Sequence, residues 1–289
     1  MSALSPVILG MPIGPTPNEV AEVVRGRLVV VTGTSRGIGA EVARRLVAVG
    51  ASVVGVSRTD LSDTNEQRDK SWVTADSTST GSRGTYTHIA LDLRDTSAAE
   101  EAARRIVAEH GTPAILVSNA GHSIRRYLSD YVKRSHDLTR TAGVNYLGPA
   151  VFALPILEAM CEAGTGHLVS VSTTAVNFPL PGWSVYSASK GAYDLWLDAV
   201  APELALDSVA VTSIRLPRVA TAMSAPTAGR YPVPELSVPQ AAGVVCHGLV
   251  RRPRYVEPWW SRAVGIVRSS APGLLQSGLA LALKMGVRP

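Results

Sequence analysis

The stretch RLVVVTGTSRGIGAEVARRL, residues 27 to 46, decides the fold. Its first half is an apolar, β-branched run that reads as a buried strand. Its second half places Gly33, Gly37 and Gly39 in a G-x-x-x-G-x-G spacing that opens a helix expected over residues 37 to 49. Glycine lets the backbone turn sharply and approach a pyrophosphate, and a helix N-terminus offers unpaired N–H groups and a positive dipole. The loop of Gly33, Thr34, Ser35, Arg36, Gly37, Ile38 and Gly39 therefore suits a dinucleotide. Glycines also occur in ordinary strand-to-helix turns, so the position after the first strand carries the weight.

Working outward, apolar runs and helical patterns alternate. SVVGVS, YTHIALDL, AILVSNAG, HLVSVS and VAVTSIRLP read as strands. Helices are expected near 97–109, 134–163, 185–206 and 237–250. Such alternation implies right-handed βαβ units and one doubly wound parallel sheet, an α/β Rossmann fold in a single domain. Residues 26–257 form that domain, 1–25 an N-terminal arm on its surface, and 258–289 a basic, apolar tail. Between Arg58 and Tyr86 the chain is polar, and a frayed helix with a mobile loop is expected there.

Composition agrees with this plan. Of 289 residues 46% are hydrophobic but only two are Phe, so Val, Ala, Leu and Ile must build the interior, as parallel sheets require. Cys161 and Cys246 lie far apart with neither disulfide-framework nor metal-ligand spacing, so a reducing, cytoplasmic setting and no metal are expected. The net charge of +5 is scattered, without an aromatic-interleaved basic stripe, which speaks against nucleic acid.

The end of the second strand bears on the cofactor. NAD sites commonly place an acid there for the ribose 2′-OH, whereas a 2′-phosphate needs positive charge. The chain has Ser57 and Arg58 instead, with Arg36 in the glycine loop. Two guanidiniums that could grip a phosphate favour NADP(H); solvated surface arginines are the plain alternative.

Tyr186 and Lys190 open a later helix, and their spacing puts both on one face. A lysine ammonium beside the phenol would lower its pKa from the usual value near 10 and make it a usable acid or base. An incidental surface pair would share the spacing, but not its place downstream of a glycine cradle.

TGTSRGIG, Asn119-Ala120-Gly121, Asn145 and Tyr186-x-x-x-Lys190, in this order, resemble the short-chain dehydrogenase/reductase family over residues 26 to 256. The resemblance implies that Tyr186 is the general acid for carbonyl reduction, that Lys190 tunes it and holds the nicotinamide ribose, and that Asn145 supports a water leading protons to Lys190. It further implies that Asp92 and Leu93 meet the adenine, that Asn119, Ala120 and Gly121 line the cofactor cleft, and that Pro217, Val219 and Thr221 flank the nicotinamide, Thr221 binding its carboxamide. Family members are often dimers or tetramers, so a homo-oligomer is expected.

Two departures stand out. The family's substrate-holding serine precedes the tyrosine by thirteen residues, and that position is Thr173. Its hydroxyl offers the same hydrogen bond, with a methyl that stiffens χ1. Ser172, one residue back on a strand, should face the other way unless the chain bulges. The familiar Pro-Gly after the sixth strand is Pro217-Arg218, and Arg218 is either near the cofactor or at the surface.

Residues 121 to 149, LPRVATAM and LSVPQAAGVVCHGLVRRPR are similar to the reductase domains of bacterial fatty acyl-CoA and fatty aldehyde reductases. This implies a hydrophobic, long-chain aldehyde or ketone as small-molecule substrate. His122, Arg125 and Arg126 could meet an anionic head group or be solvated. The rival readings are a 3-ketoacyl or secondary-alcohol oxidoreductase and an NADP(H)-binding protein without turnover. Residues 258 to 289 carry Arg262, Arg268, Lys284 and Arg288 and no acid, and their longest uncharged run is 15 residues. That is too short and broken to span a bilayer, and leaves peripheral membrane contact, a lid or a dimer contact open.

Overall fold

The computed structural model describes residues 9–59, 84–227 and 235–285. The expected frayed helix and loop therefore fall largely on residues 60–83, outside the described residues. Seven strands, β1 (Leu28–Thr32), β2 (Ser52–Ser57), β3 (Thr85–Ala90), β4 (Ile115–Ser118), β5 (Gly166–Thr173), β6 (Val209–Leu216) and β7 (Tyr255–Val256), form one sheet in the order β3-β2-β1-β4-β5-β6-β7. Every pairing is parallel. The order reverses between β1 and β4, and ligands in such sheets bind outside the carboxyl ends of the strands at that reversal.

Among the described residues ten α-helices cover the sheet and its edge: α1 (Pro17–Val24), α2 (Gly37–Ala48), α3 (Thr96–His110), α4 (Leu128–Tyr131), α5 (His136–Ala142), α6 (Gly148–Glu162), α7 (Ser184–Leu206), α8 (Val238–Arg251), α9 (Trp259–Ser270) and α10 (Pro272–Lys284). Successive residues of a strand face opposite sides, so the core comes in two layers. Val29 and Val31 of β1 pack with Val20, Val42, Leu46 and Val245 from α1, α2 and α8. Val30 between them packs with Ile106, Phe152 and Leu197 from α3, α6 and α7. Both faces bury the central strands, which is why they read as continuous Val/Ile/Leu runs.

Helix starts follow local chemistry. Asp95 caps α3 by accepting from the Ala98 N–H, and Ser237 with Gln240 forms a reciprocal capping box at α8. Each such cap contributes about 1 kcal/mol.

The structure adds detail to the sequence reading at three places. The N-terminal arm packs through apolar side chains: Leu9, Met11, Val20 and Val24 are buried, and Thr16 and Glu19 box the start of α1. The helix expected over 134–163 is interrupted by a π-helical turn, Gly143–Leu147, between α5 and α6. The extra residue re-aims side chains on that turn. The run His136–Glu162 is the one described helix long and apolar enough to cross a membrane, yet 61% of its apolar window is buried inside the fold. Third, the tail folds into two helices, α9 and α10.

Candidate active site

The carboxyl ends of β1, β4 and β5 meet around the glycine turn. Gly33 has φ +76° and Gly37 φ +63°, conformations that an L side chain resists. A Cβ at Gly39 would lie 2.3 Å from the Gly33 carbonyl oxygen, so α2 packs against the turn only because position 39 has no side chain. Asn119 clamps the turn from β4: its Nδ2 donates to the carbonyl oxygens of Thr32 (3.0 Å) and Gly33 (3.3 Å). Thr32 Oγ1 in turn accepts from the N–H groups of Asn119 and Ala120. Thr34 is buried and its hydroxyl accepts from Tyr86 Oη at 3.1 Å.

No side chain caps the start of α2 at Arg36, leaving its N–H groups and dipole directed at the turn. Arg36 is exposed there, with Ser35 and Ile38 partly so, and Arg58 is exposed past the end of β2. Ser57 Oγ donates to the Thr59 carbonyl at 2.7 Å and lies 3.0 Å from His88 Nε2. The cradle thus fits a dinucleotide: it is shaped for backbone approach, and among the described residues the exposed side chains of Arg36 and Arg58 carry positive charge beside it.

Asp92 is held by its neighbour Arg94, whose Nε donates at 3.0 Å, and this bond keeps the carboxyl below its ordinary pKa. Leu93 is buried under the start of α6, where a Cβ at Gly148 would come 1.8 Å from the Leu93 oxygen.

The residues expected to react sit on α7, β5 and the π turn. Asn145 is fully buried. Its Oδ1 accepts from the His122 N–H at 2.7 Å, and its Nδ2 donates to the His122 carbonyl at 2.8 Å and to Ser189 Oγ at 2.9 Å. Gly121 sits where a Cβ would be 3.3 Å from Asn145 Oδ1 and 3.4 Å from Lys190 Nζ. Asn145 and Lys190 therefore face one point on the segment after β4. Lys190 Nζ donates to the Val171 carbonyl at 2.9 Å, tying α7 to β5.

Burial pushes the Lys190 ammonium down to about 8, opposed by the carboxylate of Asp194 one turn on. That carboxylate is itself held by Ser213 at 2.8 Å and Arg215 at 2.9 Å. A lysine near 8 carries and releases a proton in the neutral range. Burial raises Tyr186 above its ordinary value, and a hydrogen bond with the Thr173 side chain draws it back down. One of the three N–H donors of the Lys190 ammonium is engaged by Val171, and the hydroxyl of Thr173 is the group that draws the phenol down.

β5 pairs with β6 in unbroken register through Ser172 and Thr173, so no bulge turns Ser172 toward the tyrosine. Ser172 Oγ is buried without a hydrogen-bond partner among the described residues. Thr173 Oγ1 accepts from the Ala175 N–H at 3.2 Å, leaving its proton free to donate.

Other expected contacts are already committed. Arg218 Nε bonds Glu235 at 3.0 Å, and this pair straps the segment Pro217–Ser224 to the residues before α8. Val219 bridges Leu236 there, and Thr221 Cγ2 lies 3.7 Å from a Cβ placed at Gly37, so the strap reaches the glycine turn. Arg126 pairs with the buried carboxylate of Asp137 at 2.6 Å, Arg125 bonds Tyr127 Oη at 2.8 Å, and His122 lies 3.2 Å from Arg140. Burial, then Arg140, pushes the imidazole below its usual pKa. Ser189 and Asp194 were not legible as support residues, since Asn145, Ser213 and Arg215 reach them from other elements.

The model for the short chain dehydrogenase family matches residues 27–231. The chain belongs to this family. An uncharacterized oxidoreductase of Mycobacterium bovis is 34% identical over 254 residues, 88% of this chain and 73% of its own length. A fatty acyl-CoA reductase of Acinetobacter baylyi is 32% identical over 253 residues, 88% of this chain and 83% of its length. A metagenomic short-chain oxidoreductase solved in complex with NADP superposes with a TM-score of 0.66 at 26% identity, covering 81% of this chain and 97% of that one. Among short-chain dehydrogenases, then, this one is an oxidoreductase by family, with a seven-stranded parallel sheet and with Tyr186 and Lys190 one turn apart on α7.

Proposed function

We propose that the chain reduces a hydrophobic, long-chain aldehyde or ketone to the alcohol, with NADPH as reductant and Tyr186 as general acid. The observation that carries this reading is the grouping of Thr173, Tyr186, Lys190 and Asn145 beside the carboxyl ends of β4 and β5, next to the glycine cradle. Its phenol is held above the ordinary value, so it is protonated at neutral pH, the form that reduction consumes.

Gly33 to Gly39 would take the pyrophosphate, Arg36 and Arg58 the 2′-phosphate, and Ser57, Asp92 and Leu93 the adenosine. Ala120, Gly121 and Lys190 would lie along the nicotinamide ribose, with Pro217, Val219 and Thr221 beside the ring. A reduced nicotinamide held by these residues would supply the hydride for the carbonyl carbon.

The chain's own groups do the rest. Thr173 Oγ1 donates to the developing alkoxide, whose stabilisation by one placed donor is worth about 3 kcal/mol. Tyr186 delivers the proton to that oxygen. Lys190, near pH 8, replaces the proton on the phenol, and Asn145 fixes the segment that Lys190 faces. Relatives of the fatty acyl-CoA reductase kind favour a lipid carbonyl over a sugar. The exposed Leu147, Leu154 and Leu195 on the helices around α6 and α7 support a homo-oligomer.

The experiment is NADPH consumption over a chain-length series of aldehydes and 3-ketoacyl thioesters, with Thr173→Val and Ser172→Ala alongside. Turnover should fall about a hundredfold in Thr173→Val and little in Ser172→Ala. A larger loss in the serine variant would reverse the assignment. Cofactor binding without turnover of any carbonyl would leave an NADP(H)-binding protein.

A further inference from the structure

Lys190 is followed on α7 by a second buried charge. Asp194 lies one turn further along the same face, and its oxygens are held separately: Oδ1 accepts from Ser213 Oγ at 2.8 Å and Oδ2 from Arg215 Nε at 2.9 Å. Both partners come from β6, where Ser213 and Arg215 lie opposite Ser170 and Ser172 of β5. The sheet, and not its own helix, therefore fixes this carboxylate.

Arg215 is fixed in turn. Its Nη1 donates to Glu257 at 3.3 Å and reaches Asn177 Oδ1 at 3.5 Å, and its guanidinium lies 4.3 Å from the centre of the Tyr255 ring. Asn177 Nδ2 also donates to Glu257 at 2.7 Å and to the buried Ser261 Oγ at 3.2 Å. Asn177 ends the 3₁₀ turn Thr174–Val176, which starts one residue past Thr173. Charges thus alternate from Lys190 through Asp194 and Arg215 to Glu257, between the helix of Tyr186 and the turn behind Thr173. Interior charges persist when each has an opposite neighbour.

We propose that Asp194 is a positioning residue, held by Ser213 and Arg215, that keeps Lys190 an ammonium beside Gly121 and so sets the proton supply of the site. This rests on the reading of Lys190 as the group that reloads Tyr186. The remaining groups near Lys190 leave that task to Asp194. Tyr186 on the same helix is held protonated by burial, and Val171 on β5 and Asn145 on the π turn are neutral. His122, bonded to Asn145, is pushed below its usual pKa by burial and then by Arg140. Tyr193, the neighbour of Asp194, is held protonated by burial. Among the described residues Asp194 is the one charge that acts on the ammonium, and it opposes the proton loss that burial promotes.

The test is a titration of Lys190 itself. The chain has Lys70, Lys133, Lys190 and Lys284, so in protein carrying lysine labelled with ¹³C at Cε the Lys190 resonance is assigned by its loss in Lys190→Met. Asp194→Asn keeps the size and removes the charge, and the Lys190 midpoint should fall by about one pH unit. Asp194→Glu should restore it. Arg215→Gln removes the opposing cation, and there the midpoint should rise. An unmoved midpoint in Asp194→Asn, or a fall in Arg215→Gln, overturns the proposal. Should Asp194→Asn fail to fold, Arg215→Gln decides alone, a rise sustaining the proposal and a fall or no shift ending it.

These titrations need no substrate, so absence of turnover in the wild type would end the reduction reading and leave them to judge Asp194. Where dodecanal is reduced with NADPH, a midpoint lowered by about one unit cuts the ammonium share at pH 8 about fivefold, and kcat of Asp194→Asn should drop by that factor at pH 8 and recover toward pH 6. A loss equal at both values would mark a merely structural residue and overturn the proposal.

Discussion

Along α7, Ser187, Ser189, Lys190 and Asp194 are buried, and the latter three are anchored by partners from β5, β6 or the π turn, whereas α10, thirteen residues long, buries none of its side chains. The difference teaches where this fold keeps its precision. Proton transfer needs groups held within fractions of an ångström, which takes low-dielectric packing and saturated hydrogen bonds. A helix at the periphery needs no such precision, and α10 is correspondingly lightly docked.

That contrast can be broken at its strongest point first. Tyr186→Phe removes a hydroxyl from the anchored side, and turnover should fall about a thousandfold, roughly 4 kcal/mol, with NADPH binding and the melting curve nearly unchanged. Loss of cofactor binding instead would show that the tyrosine matters as scaffold. Next, Gly39→Ala places a methyl against the Gly33 carbonyl, with no flexible side chain to yield. Denaturant titration should show about 1–3 kcal/mol of destabilisation, together with weaker cofactor binding by fluorescence; an unchanged midpoint would show that the turn is plastic.

A pH test sharpens the electrostatic half of the comparison. The Lys190 ammonium has its folded pKa lowered to about 8 from 10.5, so the folded state binds fewer protons than the unfolded state and this site opposes folding most at low pH. The opposition fades as pH rises through 8 toward 10.5. Between pH 7 and 9 the wild type should gain about 1 kcal/mol relative to Lys190→Met, read from paired urea curves. A parallel pair of curves would mean that the ammonium is solvated. The smallest effect belongs to α10: Leu274→Asp on its exposed face should shift stability by less than about 0.5 kcal/mol. A larger shift in the melting midpoint would show that this face is covered, as in an oligomer.

Much of the fold was legible because its signals are local. The β-branched run at Leu28–Val31, the glycine spacing at 33, 37 and 39 and the tyrosine–lysine turn at 186–190 each impose their conformation within a few residues. Strand alternation then left little topological freedom, since parallel crossovers share one hand. Thr173 could be set against Ser172 for the same reason: a regular strand alternates faces, and β5 has no bulge.

Other features were decided only when distant segments met. Arg58 and Arg218 look alike in the sequence, yet Arg58 is exposed by the cradle and Arg218 is consumed by Glu235. Arg126 points to a head group by composition, but the buried carboxylate of Asp137 claims it. The π turn that presents Asn145 to His122 and Ser189 leaves no periodicity signal, because one inserted residue in a helix is stabilised by packing rather than by propensity. The tail shows the limit most clearly. Its leucines and arginines fitted a lid, a membrane contact or a dimer equally well, and only the docking of α9 on Asn177 and of Leu283 opposite Tyr127 sets which face looks inward. Periodicity marks an apolar stripe wherever it lies; the surface that stripe meets is fixed by contacts between residues nearly a hundred positions or more apart in the chain.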